Sequence, residues 1–323
     1  MRESLLISRA LPAPVMERLA RRFAVTTRAT TLPMSEAEAA AALGEHDAIL
    51  PTLGDAFTAG AFAAAGAPRA RILANFGVGY NHIDVAAAAK AGVVVTNTPG
   101  AVTDATADIA MALILMSARR LGEGERLVRA GRWEGWHPTQ LLGLHIGGKV
   151  LGVIGMGRIG RAIARRAHMG FGMDVVFFNR SKVEDPGVPA RQLESIKAVM
   201  GTADVVAIAV PGGAATHHLI GRAELAAMRP HAHLVNISRG DVIDEPALIE
   251  ALEEGRIAGA GLDVYEHEPE VPERLRRLEN VVLLPHLGTN SDEVRTNMGM
   301  MAADNLEAFF EGRPPANAIQ PAG

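Results

Sequence analysis

The stretch VLGVIGMGRIGRAIARRA, Val150–Ala167, decides how the rest of the chain is read. An apolar run with the look of a strand leads into Gly155, Gly157 and Gly160 in G-x-G-x-x-G spacing, and a helical pattern follows at once. Each glycine has a physical reason: a tight turn, close approach of bare backbone to a pyrophosphate, and close packing of helix on strand. The helix N-terminus adds free N–H groups and partial positive charge for phosphates. Alone the hexapeptide is weak evidence, because glycine turns are common in Ala- and Gly-rich chains. The strand before it and the helix after it supply the context that a dinucleotide-binding fold requires.

Downstream, VVFFNRSK (Val175–Lys182) ends the next β run, 19 residues beyond Gly160. An acidic residue commonly stands there and binds the adenosine ribose diol. This chain has Asn179, Arg180, Ser181 and Lys182 instead. Without the carboxylate, the site loses its partner for the 2′-hydroxyl and its repulsion of a 2′-phosphate. Arg180 can pair with phosphate through its planar fork or stack on adenine, Ser181 can donate a hydrogen bond, and Lys182 adds charge. The pattern predicts NADP(H) as the preferred cofactor, with NAD(H) also accommodated; the bland alternative is a basic turn on a solvated surface.

Outward from these motifs, short β-rich runs alternate with Ala-rich helical runs, the signature of parallel sheets covered by helices. SLLIS, AVTTR, AIL, RILANFG and GVVVTN form one α/β unit that closes at the turn signal Thr98-Pro99-Gly100. A helix over about 103–119 follows. From Lys149 a fresh alternation runs through KVLGVIG, DVVFFN, DVVAIAV, HLVNIS, GAGLDV and NVVLLP, and one amphipathic helix over about 292–311 comes last. This order predicts a second α/β domain inserted into the first, with the terminal helix returning to the N-terminal domain. The expected boundaries are 1–99 with 287–323 for the substrate domain and 100–286 for the dinucleotide-binding domain.

Composition narrows the function classes. A chain of 323 residues is long enough for two cores, and 48% hydrophobic with 21% charged residues is ordinary for a globular enzyme. A formal net charge of −4 gives no reason to expect nucleic acid as a partner. Zero cysteines exclude disulfides and thiolate chemistry, in keeping with the cytoplasm. The N-terminal MRESLLISRALPAP has too short an apolar run for a secretory signal, and IAMALILMSA is too short to span a bilayer. No membrane partner is expected.

Three later segments, NISRGDVID, LDVYEHEPE and LLPHLGTN, each place a reactive side chain after a predicted strand, where open α/β sheets bind ligands. The candidates are Arg239, one acid among Glu266, Glu268 and Glu270, and His286. Spacing and periodicity do not choose among the glutamates. His217-His218 and His231-x-His233 lack the carboxylate or Cys pattern of a metal site and read as surface or packing residues, so no metal is expected.

The motifs NFGVGYNHID, TNTPGAVTDATADIAMALIL, GMGRIG, NISRGDVIDEPAL, GLDVYEHEPE and PHLGT, in this order over nearly the whole chain, resemble those of the D-2-hydroxyacid dehydrogenases. The resemblance implies a Rossmann-type cofactor domain inserted into a flavodoxin-like substrate domain. It selects Glu268, in the Glu-Pro pair, as the acid; intervals of 29 residues from Arg239 and 18 to His286 fit the family's arrangement. His286 would protonate the carbonyl oxygen of a 2-keto acid, and Glu268 beside it would favour the imidazolium. Arg239 would hold the substrate carboxylate and polarise the carbonyl. The backbone N–H groups of Val78 and Gly79 would clasp that carboxylate, and Asp263 would orient the nicotinamide amide. Thr106, Arg158, Ile159, Pro211, Thr216, Ile237 and Gly288 are the remaining cofactor-binding positions that the resemblance implies.

Within the family the chain is most similar to the glyoxylate/hydroxypyruvate reductase branch. Leu53 and Gly54 then fall at the substrate pocket, Trp136 would reach toward a neighbouring subunit, and a homodimer is expected through the segment around 100–145. A small 2-keto acid, glyoxylate or hydroxypyruvate, is the implied substrate. Alternatives are a larger 2-keto acid with NAD(H), or a corepressor-like protein that senses the cofactor without turning over. A formate dehydrogenase relative is disfavoured by Glu268, since that branch replaces the acid beside its histidine.

Overall fold

The computed structural model describes residues 2–320; Met1 and residues 321–323, which the expected domain boundaries include, lie outside the described residues. The chain divides into two compact units, one ending at Val102 and resuming at Asn290, the other running from Thr103 to Thr289.

The first unit is built on five parallel strands: β1 (Ser4–Ile7), β2 (Ala24–Thr27), β3 (Ala48–Leu50), β4 (Ile72–Ala74) and β5 (Val94–Thr96). Their spatial order β2-β1-β3-β4-β5 is the flavodoxin-like one. β3 and β4 are buried throughout, which is why they read as unbroken apolar runs rather than alternating ones. The helix Glu36–Glu45 opens with a capping box between Ser35 and Glu38. The terminal helix Asp292–Phe310 lies against the helix Ala13–Arg22. A Cβ on Gly299 would sit 2.6 Å from Val15, so the two backbones approach this closely only because residue 299 has no side chain. Arg18 locks the pair by an ion pair to Glu307 at 2.6 Å. Beyond the helix, the Ile319 N–H donates to the Val95 carbonyl at 2.8 Å.

Seven parallel strands form the second unit: β6 (Val150–Ile154), β7 (Asp174–Phe178), β8 (Ala190–Gln192), β9 (Val205–Ile208), β10 (His233–Asn236), β11 (Gly259–Leu262) and β12 (Val281–Leu283). The order β12-β11-β10-β9-β6-β7-β8 reverses direction at β6, which is flanked by β7 and β9. This is the Rossmann arrangement with one strand added, and the reversal point lies where the glycine loop leaves β6. The helix Thr103–Ala118 packs across β10 and β11, where Leu113 occupies the space a side chain on Gly261 would need. The fold class read from the sequence therefore holds for both sheets.

Of the elements of this unit that have no counterpart in the sequence reading, three show why. β8 is a three-residue edge strand of Ala, Arg and Gln with no buried residue, so it carries no apolar signal. The helix Leu121–Arg129 contains two glycines and buries no residue. The helix Glu245–Glu253, capped by Asp244 with Pro246 in its first turn, lies between two strands that were read without it. Among the described residues no helix is long and apolar enough to cross a membrane.

Candidate active site

Several of the candidate residues of the second unit lie just beyond the C-terminal ends of parallel strands, as ligand sites in open sheets do. Gly155 follows β6, Asn179 follows β7 and Asp263 follows β11 directly; Arg239 and His286 come three residues after β10 and β12.

The glycine loop fits a bound pyrophosphate. Gly155 has φ +98°, and a Cβ there would press on the Ala209 carbonyl at 2.8 Å. At Gly160 a Cβ would lie 2.1 Å from the Gly155 carbonyl oxygen, so the helix Arg158–Phe171 sits on the loop only because position 160 is bare. Gly157 is exposed and caps that helix; a Cβ there would meet nothing within 4 Å. Two of the three glycines are thus required by the protein's own packing, whereas the third leaves open space above a helix N-terminus, where a phosphate can approach bare backbone. Arg158 is exposed and Ile159 half-buried at the start of the helix.

The turn after β7 is braced rather than loose. Asn179 Oδ1 accepts from the Met156 N–H at 3.3 Å, and its Nδ2 donates to the Ser181 carbonyl at 3.0 Å. From β8, Gln192 Nε2 donates to the Asn179 and Ser181 carbonyls and Gln192 Oε1 accepts from the Val183 N–H. Arg180, Ser181 and Lys182 are exposed on this scaffold. Lys182 meets Glu184 at 2.8 Å, but both side chains are 80% exposed and the pair contributes little. On the other side of β6, Thr216 Oγ1 closes the loop after β9 by donating to the Pro211 carbonyl at 2.8 Å, and Ile237 is buried below Arg239 in sequence.

Arg239, Glu268 and His286 come together. His286 Nδ1 lies 2.8 Å from Glu268 Oε2, and the other carboxylate oxygen accepts from the Tyr265 N–H at 3.1 Å. Burial drives the Glu268 carboxyl upward, yet the His286 hydrogen bond and charge, the Tyr265 N–H and Arg239 outweigh it and hold Glu268 below the usual carboxylate value. Burial also pulls the Arg239 guanidinium below its ordinary value, opposed by the charges of Glu268 and Asp241; an arginine stays charged there. The other two glutamates do not share this site. Glu266 pairs with His218 at 2.7 Å, and Glu270 is exposed, its N–H closing a turn onto the His267 carbonyl.

Backbone hydrogen bonds hold these groups in register. Asn236 Nδ2 donates to the Arg239 carbonyl and Asn236 Oδ1 accepts from the Ser238 N–H and hydroxyl. Gly240 touches the Tyr265 backbone so closely that a Cβ would lie 1.8 Å from its carbonyl carbon, which presses the Arg239 turn onto the segment leading to Glu268. Buried Asp263 accepts from the Leu287 and Gly288 N–H groups at 2.6 and 2.8 Å, and its carbonyl accepts from the His286 N–H at 2.9 Å. His286 adopts φ +55°, a left-handed conformation uncommon outside glycine, and these bonds keep it there. Thr106 Oγ1 completes the set by donating to the Gly288 carbonyl at 3.0 Å. Tyr265, Asn236, Gln192 and Gly240 escaped the sequence reading. The Asn-x-Ser at a strand end was the one local signal, a side chain fit to bond backbone two residues on.

The remaining histidine pairs have structural partners. His231 bonds Asp204 at 2.7 Å, and His233 is buried against Ser117 at 2.8 Å, where burial pushes its pKa down to about 4. In the first unit, Leu53 and Gly54 sit in the loop after β3, where Arg9 donates to the Leu53 carbonyl at 2.9 Å and Gly54 has φ +86°. Val78 and Gly79 are half-buried in the loop after β4.

With the geometry in place, comparison with known proteins gives a consistent answer. Residues 111–288 match the family model for the NAD binding domain of D-isomer specific 2-hydroxyacid dehydrogenases. A glyoxylate reductase of Thermococcus litoralis is 46% identical over 258 residues, 78% of either chain. One from Korarchaeum cryptofilum is 42% identical over 325 residues, covering 99% of this chain and 96% of the relative. The solved NADPH-dependent glyoxylate/hydroxypyruvate reductase of Sinorhizobium meliloti, in complex with NADP and malonate, superposes with a TM-score of 0.87 at 36% identity, covering 99% of this chain and 97% of that one. The chain belongs to the D-isomer specific 2-hydroxyacid dehydrogenase family. It is an NAD(P)-dependent oxidoreductase.

The glycine loop yields a paired test of the cofactor cradle. Gly157→Ala should leave the unfolding temperature within about 2 °C while weakening dinucleotide binding about tenfold or more, whereas Gly160→Ala should cost about 2 kcal/mol or more of stability through its backbone clash. Thermal unfolding and fluorescence titration separate the two; full affinity in Gly157→Ala would mean that no phosphate passes over that residue.

Proposed function

We propose that this enzyme reduces glyoxylate, with hydroxypyruvate as a second small 2-keto acid, to the 2-hydroxy acid of D configuration where the product is chiral, preferring NADPH and using His286 as proton donor. The bound nicotinamide supplies a hydride to the carbonyl carbon. His286 gives the Nε2 proton to the carbonyl oxygen, since Nδ1 is turned to Glu268. Glu268 keeps the ring oriented through its hydrogen bond to Nδ1. Arg239 pairs with the substrate carboxylate and draws electron density from the carbonyl. Val78 and Gly79 N–H groups are further donors to the carboxylate, and Leu53 and Gly54 belong to a pocket wall suited to a short substrate. The observation that carries the reading is the 2.8 Å pair of His286 and Glu268 with Arg239 charged beside it.

NADPH preference is supported by a braced turn that presents Arg180 and Ser181 where a ribose-binding acid would repel a 2′-phosphate. A homodimer, acting in the cytoplasm, is part of the same proposal. Leu121, Val128, Trp133, Trp136 and Leu142 are all exposed, Trp136 by 80%, an apolar run of the kind that marks an interface. Light scattering should give twice the monomer mass, and a monomer at micromolar concentration would refute the dimer.

Initial rates with NADPH and NADH, each against glyoxylate, hydroxypyruvate, pyruvate and phenylpyruvate, test the reading as a whole. The expected result is NADPH preference, with glyoxylate and hydroxypyruvate turned over faster than pyruvate or phenylpyruvate. Arg180→Asp should cut kcat/KM with NADPH about 100-fold and with NADH by less than about threefold; equal losses would remove the phosphate role. Absence of turnover by a cofactor-binding protein would favour a sensor.

The proton donor has its own signature. His286→Ala should lower kcat by about 10²- to 10⁴-fold. Glu268 lies below the usual carboxylate value and so carries its charge throughout the neutral range. Activity should therefore persist as pH falls through the ordinary carboxylate range and drop only once Glu268 itself is protonated. Glu268→Gln should lower kcat about tenfold or more at neutral pH, because the neutral amide no longer charge-pairs with the imidazole; an unchanged kcat would mean that Glu268 does not act on the proton donor.

A further inference from the structure

Asn75, directly after β4, is fully buried and has an unusual set of partners. Its Nδ2 donates to two carbonyls of the same loop, Gly77 and Gly79, each at 3.1 Å. Its Oδ1 lies 3.1 Å from His82 Nε2. With both amide hydrogens committed to carbonyls, Oδ1 must accept, so His82 carries its proton on Nε2. From β5, Asn97 Nδ2 donates to the intervening Val78 carbonyl at 2.9 Å, and the Thr98 N–H donates to Gly77 at 3.0 Å.

The carbonyls of Gly77, Val78 and Gly79 are therefore all drawn toward Asn75 and the end of β5. These peptides are trans, and in a trans peptide each C=O points opposite to the N–H of the following residue. Holding three successive carbonyls on one side turns the N–H groups of Val78, Gly79 and Tyr80 to the other. Gly77, at φ +154°, supplies the backbone freedom for the turn. A row of consecutive N–H groups on one face is an anion cradle.

We propose that Asn75 is the positioning residue of the substrate-carboxylate site, and that the row of donors it orients extends to the Tyr80 N–H. This rests on the reading of Val78 and Gly79 as carboxylate donors. It adds the buried amide that aims them and a third donor. The row suits a carboxylate, because the donors are backbone and leave no side chain between themselves and the ligand.

The test is a steady-state comparison of Asn75→Ala, Asn75→Asp and Asn97→Ala with the parent enzyme. Aspartate keeps the shape but sets an oxygen against the Gly77 and Gly79 carbonyls, so it should act like alanine. Both Asn75 variants should raise KM for glyoxylate, and the inhibition constant of oxamate, about 10- to 100-fold, while kcat and the NADPH dissociation constant stay within about threefold. Asn97→Ala, which frees one carbonyl, should show the same split more weakly, and it carries the test if the Asn75 variants do not fold. Parallel loss of kcat and cofactor affinity would mark Asn75 as merely structural and overturn the proposal. An unchanged KM would also overturn it, and the crystal structure of the variant then says which part fails. If the 77–79 carbonyls have turned away with KM intact, the loop is not the carboxylate site. If they have not moved, the site reading survives and Asn75 is not what aims it.

Discussion

The second unit depends on one buried carboxylate, Asp263. Its N–H donates to the Asn236 carbonyl, its own carbonyl accepts from His286, and its two carboxylate oxygens take the next two N–H groups, Leu287 and Gly288. Asn236 in turn holds the Arg239 carbonyl, and Gly288 is held by Thr106. A lateral chain of hydrogen bonds thus runs across the ends of β10, β11 and β12 to the helix Thr103–Ala118. Each link satisfies backbone groups that the ending strands leave unpaired with one another. Burial pushes the Asp263 carboxyl upward, and only the two N–H groups and nearby His286 offset that cost of a charge out of water. The arrangement explains how a histidine can stand at φ +55°: its own N–H and the two that follow are committed to one residue.

How far the sequence discloses this depends on the kind of signal. Apolar runs of β strands are legible because parallel strands buried on both faces have no alternation to obscure them, although the bounds read from them overshoot by up to four residues, RILANFG (71–77) against Ile72–Ala74 the most. β8 was illegible because ARQ at a sheet edge buries nothing. Glu268 could not be told from Glu266 and Glu270 by spacing, since all three sit in one irregular segment. What separates them is tertiary: Glu268 faces His286, Glu266 faces His218, and Glu270 faces solvent. The bracing residues Asn236, Gln192, Asn75 and Tyr265 were illegible too, because a side chain that bonds distant backbone leaves no period in the sequence.

The end of β7 shows why a motif is read better with its supports. NRSK alone is a basic turn, and Lys182 behaves as one, paired with Glu184 in full solvent. Asn179 does more, because its amide bridges the glycine loop at Met156 and the following turn at Ser181. An aspartate at 179 could accept from Met156 but could not donate to Ser181, so the substitution changes the turn's internal bonding as well as its charge. Gln192 holds the same turn from β8. Loss of the acid is therefore built into the local structure, not laid over it.

On the proposed mechanism, charge counting ties Arg239, Glu268 and His286 to a substrate class. Arg239 and a protonated His286 set against Glu268 leave one net positive charge, which a 2-keto acid's single carboxylate neutralises. The loaded site for reduction is then neutral overall, so little charge is left uncompensated away from water. Once the proton has moved to the product oxygen, His286 is neutral, but a nicotinamide that has given up its hydride would carry a positive charge in its place, so the site with its hydroxy acid stays neutral overall. Binding of the keto acid is thus favoured with the proton in place. Glu268 is central to this balance because it stays ionised although partly drawn out of water: a neutral acid there would leave two positive charges to face one carboxylate. On the same reading a neutral ketone would leave one positive charge unmatched and a dianion one negative charge, which is the electrostatic case for a monoanionic substrate.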